Sequence, residues 1–192
     1  ITADNQSKTY GAALPTLTAS YTGFVNGDDA TSLSTAPVLS TLATAASSVA
    51  GSPYAITASG AADNNYAITY SPATLTVGQA NLTITADNQS KTYGAALPTL
   101  TASYTGFVNG DDANNLNAAP VLSTPATAAS PVATYTISAS SAVDPNYNIN
   151  YALGTLTVGQ AALTITADNQ SKTCGAALPT LTASYTGFVN GD

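Results

Sequence analysis

The sequence predicts an all-β protein, built of small immunoglobulin-like β-sandwich domains in tandem. Three observations predict it. A long phrase recurs: Ile1–Ala30 returns residue for residue as Ile84–Ala113 and starts again at Ile165. Within each copy, apolar and polar residues alternate as a half-buried strand requires. Clusters of Gly, Pro, Asn and Asp punctuate those alternating runs. A period of about 80 residues exceeds the roughly 20–50 of a solenoid unit and suits a small autonomous domain.

The elements follow in chain order. Tyr10-Gly11 and Leu14-Pro15 read as turns. Thr16–Phe24 puts Leu17, Ala19 and Tyr21 on one strand face. Asn26-Gly27-Asp28-Asp29 is a turn, and Gly27–Leu33 predicts one short helical turn capped by Asp28 or Asp29. A proline-led strand comes next. Tyr54–Ser59 sends Tyr54, Ile56 and Ala58 inward, and Ala62–Asn65 turns. Asn65–Val77 sends Tyr66, Ile68 and Tyr70 inward, with a turn at Ser71-Pro72. About seven short strands in a domain of this size match a sandwich. A β-grasp arrangement, with the helical turn crossing a sheet, is the alternative.

The joints lie in Ala73–Asp87 and Gly154–Asp168, where two strand patterns flank Gly78-Gln79-Ala80-Asn81 and Gly159-Gln160-Ala161-Ala162. The domains are therefore read as 1–79 (lacking its first two residues), 80–160, and 161–192, the N-terminal fragment of a third. Four residues make a short tether, so neighbouring domains are expected to touch and to form an extended, semi-stiff array.

Charge is scarce. Only 7% of the 192 residues are charged and the net charge is −7, where roughly 25% charged is ordinary. The basic residues are Lys8, Lys91 and Lys172, one per copy, and every acid is Asp. No basic patch exists to neutralise phosphates, which argues against nucleic-acid binding. No apolar run of 18 or more residues exists to insert in a membrane as a helix.

The phrase LTITADNQSKTYGAALPTLTASYTGFVNGDDA, followed by the proline-led strand, Tyr54-x-Ile56, Asn65-Tyr66-x-Ile68-x-Tyr70 and Thr74–Val77, resembles the MBG domain of the YGX type. The motif of that name is Tyr10-Gly11-Ala12, then Tyr93-Gly94-Ala95; the third copy departs from it with Cys174-Gly175-Ala176. The resemblance implies a tandem repeat of large bacterial surface or secreted proteins, an extracellular location, an adhesin-like or fibrous role and no catalysis. It carries no binding site across.

Candidate residues are weighed one by one. Tyr10 is expected to pack on the core while Gly11 takes a positive φ; an exposed ligand-contacting aromatic is the alternative. Asn26, Asp28, Asp29 and their copies Asn109, Asp111, Asp112 offer oxygens for Ca²⁺, but the EF-hand spacing is absent and a capped turn explains them. Lys8, Lys91 and Lys172 are candidates for Lys–Asn isopeptide cross-links; a salt bridge to Asp4, four residues before Lys8, is the plainer reading. Cys174 offers an intermolecular disulfide or is a chance replacement of Tyr. Asn5, Asn81, Asn88 and Asn169 begin N-x-S/T sequons. Without His, Glu or a second Cys, no catalytic constellation forms.

The expectation is a structural repeat, forming a stalk or filament by end-to-end domains, with no cofactor and with itself as partner. The alternative is an adhesin module that holds glycan or a host protein weakly at each copy.

Overall fold

The computed structural model describes residues 1–192. Alternation decides the first repeat. Its strands are β1 (Thr2–Ala3), β2 (Gln6–Thr9), β3 (Ala19–Ser20), β4 (Val38–Thr41), β5 (Tyr54–Ser59) and β6 (Ala73–Gly78). β1 pairs antiparallel with β3. The other four form a mixed sheet in the order β2-β6-β5-β4. The even-numbered residues of β5 and the odd-numbered ones of β6 point inward, so Ile56 and Leu75 are fully buried. They meet Ala3 and Ala43, with Leu17, Leu39, Tyr54 and Ala73 packed around them. Side chains from both sheets thus share one core, as in a sandwich. Burying a side chain of the size of Ile56 or Leu75 contributes about 1.5–3 kcal/mol.

The second repeat is built alike: β7 (Ala80–Ala86), β8 (Gln89–Thr92), β9 (Ala102–Thr105), β10 (Val121–Ser123), β11 (Ala133–Ser140), β12 (Tyr147–Ala152) and β13 (Gly154–Gly159). Its four-stranded sheet runs β10-β11-β13-β8. Its core places Ala86, Ala126, Ile137 and Leu156 where the first repeat has Ala3, Ala43, Ile56 and Leu75. The third copy supplies β14 (Thr164–Ala167) and β15 (Ala183–Thr186), paired antiparallel.

In both full repeats the first strand of the mixed sheet lies parallel to the last. β2 pairs β6 in the register Lys8↔Val77, and β8 pairs β13 in the register Lys91↔Val158. The helical content is two 3-10 turns of three residues, Ala30–Ser32 and Ala113–Asn115. Asp29 caps the first, taking the Thr31 N–H on its carboxylate at 2.8 Å; Asp112 caps the second in the same way. No helix crosses a sheet, so the sandwich-like reading holds over the β-grasp one.

Two expectations need correction. Tyr70 faces solvent, 38% exposed, and its hydroxyl bonds the backbone of Ala61. The stretch from Tyr66 to Tyr70 is no strand here, whereas its counterpart is β12. The counterpart Tyr151 is 40% exposed although it lies in β12, so this position of the copy faces solvent in both full repeats. The first tether is also shorter than predicted, because only Gln79 separates β6 from β7.

The chain forms two compact units, and their border does not follow the repeats. Unit 1 is Ile1–Thr83 with Tyr104–Ala119 and Ser141–Asn150; unit 2 is Ile84–Ser103 with Pro120–Ser140 and Tyr151–Asp192. The first repeat therefore shares its unit with two segments of the second.

Candidate functional site

The Tyr-Gly turn is assembled from a buried cation outward. Lys8 is 9% exposed. Its ammonium donates to the carbonyls of Ala45 at 2.9 Å, Ala12 at 3.1 Å and Thr9 at 3.3 Å. Burial pulls its pKa below the ordinary lysine value, and charge-assisted bonds to three carbonyls offset that cost. The salt bridge to Asp4 does not form: Asp4 accepts from the Ser20 hydroxyl instead, at 2.6 Å. The Ala45 carbonyl also accepts from the Gly11 N–H at 3.2 Å. Lys8 thus ties the 44–49 loop to the turn that holds Tyr10 and Gly11.

Gly11 stands at φ +81°, and a Cβ there would lie 2.5 Å from Val108 Cγ2. Both facts exclude any larger residue. Tyr10 is buried, as expected, but it packs against the following repeat. Its ring meets Tyr147 edge-on, with centroids 5.6 Å apart. Its hydroxyl donates to Asp111 Oδ2 at 3.0 Å, and the Tyr147 hydroxyl donates to the same oxygen at 2.7 Å. Phe107 packs edge-on against Tyr147 from another side. The Asn109 amide, which favours the phenolate of Tyr10, is outweighed by burial and by the Asp111 carboxylate, so the Tyr10 pKa rises. Burial first, and Asp111 after it, raises Tyr147 further.

Polar bonds frame this contact. Gln79 Nε2 donates to the carbonyls of Pro145 at 3.1 Å and Tyr147 at 3.2 Å. The Ala80 N–H donates to the Asn146 carbonyl at 2.9 Å, and the Val49 N–H to Asn146 Oδ1 at 3.0 Å. All these residues lie in unit 1. The arrangement is a joint: the turn, loop and last strand of one repeat meet two turns of the next.

The next copy repeats the joint within unit 2. Lys91 holds the carbonyls of Ala128, Ala95 and Thr92. A Cβ on Gly94 would lie 2.6 Å from Val189. A cavity of ≈ 480 Å³ beside this turn is lined by Tyr93, Gln160, Phe188 and Val189 among others. In the third copy Lys172 is exposed and donates to Ala176 at 3.2 Å; Cys174 is an exposed free thiol.

The remaining candidates fall into separate places. Asn26 and Asn109 sit at φ +58° at the head of their Asn-Gly turns. Asp28 accepts from the Tyr66 hydroxyl at 2.6 Å. Asp29 and Asp112 are caps, and Asp111 is the acceptor of two phenols. No three acidic or sulfur side chains converge as a metal site would require. The side-chain Oδ1 of sequon residue Asn5 accepts from the Thr74 N–H and hydroxyl, at 2.9 and 3.1 Å. A shallow cavity of ≈ 170 Å³ in the first repeat is lined by Tyr21, Phe24 and Tyr66 with neighbouring residues. Sequence reasoning placed Gln79 in the joint but missed Val108, Asn146 and Tyr147.

Neither a curated protein nor a solved structure matches the chain significantly. The family model for the MBG domain (YGX type) matches residues 1–76, 82–157 and 163–192. The tyrosine and glycine of that motif are the two residues that make the joint, and the chain belongs to the MBG domain (YGX type) family, of which it is a tandem array.

Proposed function

We propose that this chain is a structural segment of a long bacterial extracellular or surface protein, forming a stalk or filament through successive repeats and performing no catalysis. One observation carries the reading. The motif residues Tyr10 and Gly11 are committed to holding the next repeat, where a ligand-binding motif would leave its aromatic accessible. The partner implied is the neighbouring repeat; neither cofactor nor nucleic acid has a role. Low surface charge weakens the repulsion that keeps copies apart, which favours filament assembly.

Electron microscopy of a purified multi-repeat protein, dilute and concentrated, tests this. Thin separate rods support a stalk, and ordered thicker fibres support a filament. Collapsed or randomly jointed particles would overturn both. The alternative is an adhesin module in which each copy holds glycan or a host protein weakly. Glycan-array binding that is lost in Phe24→Ala would favour it.

A further inference from the structure

We infer that each repeat is a mechanical clamp, built to resist tension applied along the chain. This deepens the stalk reading and rests on it. The observation is the parallel pairing of first and last strands: Gln6↔Leu75 through Thr9↔Gly78, and Leu156↔Gln89 through Gly159↔Thr92. In a parallel pair, the start of one strand and the end of its neighbour lie at opposite ends of the ladder. Tension that enters at β2 and leaves at β6 slides the strands past each other. Every cross-strand bond is then loaded at once, and none breaks first at low force. Antiparallel neighbours pulled from the same end open one bond at a time.

Further contacts reinforce the sheared pair. Asn5, just before β2, latches onto Thr74 through two hydrogen bonds; Asn88 latches onto Thr155 in the second repeat at 2.8 Å. The Tyr10 N–H extends the ladder past β2 to Gly78 at 2.8 Å. The chain before β2 is held as well, by Ala3 N–H on the Ser71 carbonyl and Ser71 N–H on the Ile1 carbonyl, both 3.0 Å. The Lys8 ammonium pins the end of β2 to the 44–49 loop, so the strand cannot peel away singly.

The test is single-molecule pulling of this chain in two geometries, in a Cys174→Ser background. Held by its termini, the protein ruptures at a force several-fold higher than when held by cysteines at Leu42→Cys and Ala55→Cys. Those two exposed positions flank the loop end of the antiparallel β4–β5 pair, next to Thr41↔Ile56. Each clamp that yields in the end-to-end geometry frees about 250 Å of chain at roughly 3.4 Å per residue. Asn5→Ala lowers the end-to-end rupture force of the first clamp and leaves the Leu42–Ala55 force unchanged; a general loss of stability would lower both. Equal forces in the two geometries would overturn the clamp, as would an Asn5→Ala effect shared by both. Microscopy decides the stalk separately: rods with no resistance to shear would remove the clamp and keep the spacer.

Discussion

At Gly11 the backbone and its neighbour make the same demand twice. The positive φ disfavours any side chain, and Val108 occupies the place where a Cβ would go. Gly11→Ala is therefore expected to destabilise the protein by about 1–3 kcal/mol, from backbone strain and overpacking; an unchanged urea midpoint would show that Val108 moves aside freely. The same substitution at Gly175, whose Cβ would meet nothing within 4 Å, carries the strain alone and costs less. Tyr10 and Tyr147 share one carboxylate oxygen, which gives the joint a pH dependence. Both phenols have raised pKa values in the folded state. Their stabilising effect is fully present below the unfolded tyrosine value near 10 and is lost as pH rises through the folded values. Thermal midpoints should therefore fall progressively once pH rises above about 10, the unfolded tyrosine value. In the Tyr10→Phe/Tyr147→Phe double variant the fall should be smaller.

At the scale of an element, the lysine cage decides more than its single charge suggests. Lys8→Met keeps the stem but leaves three carbonyls without their donor, at an expected loss of about 1–3 kcal/mol. Lys172→Met, at an exposed amine with one carbonyl bond, should change the denaturation midpoint far less. Amine-reactive reagents give an independent check: Lys172 should label quickly, and Lys8 and Lys91 only as the protein unfolds. Equal labelling of all three would mean that the cages open in the native state. The strands themselves were legible in the sequence. Tyr54, Ile56 and Ala58 point inward as their spacing demands, and the helical turn starts at Asp29, one of its two expected caps. Tyr70 was misplaced because alternation records which residues share a face, not how far along the strand that face stays covered; its counterpart Tyr151 is half-exposed as well.

At the scale of the whole molecule, the candidate site was the least legible part. Tyr10 finds its hydroxyl partner Asp111 at a separation of 101 residues, in another copy of the same phrase. Local periodicity reports only contacts within a strand or between a strand and its own sheet. It gives no sign that a residue repeated in every copy serves its neighbour. Lys8 was hidden for a related reason: its partners are backbone carbonyls, which no side-chain pattern marks. Only Gly11 left a trace, since a glycine in a recurring Tyr-Gly pair asks for a conformational reason. Thiol reagents should modify Cys174 at the rate of an unprotected cysteine, consistent with its exposure; a protected thiol would mean that copies associate through it.

Both halves of the joint are written inside each of the two full copies. Tyr-Gly, Lys and the Gln after the last strand form one half, and Val-Asn-Gly-Asp with its companion tyrosine forms the other. A copy therefore fits any copy before or after it. Unequal crossing-over in the gene can delete a repeat or add several, and each new neighbour arrives with its coupling already complete. An array of full copies can thus gain or lose a repeat and keep the same joint between those that remain.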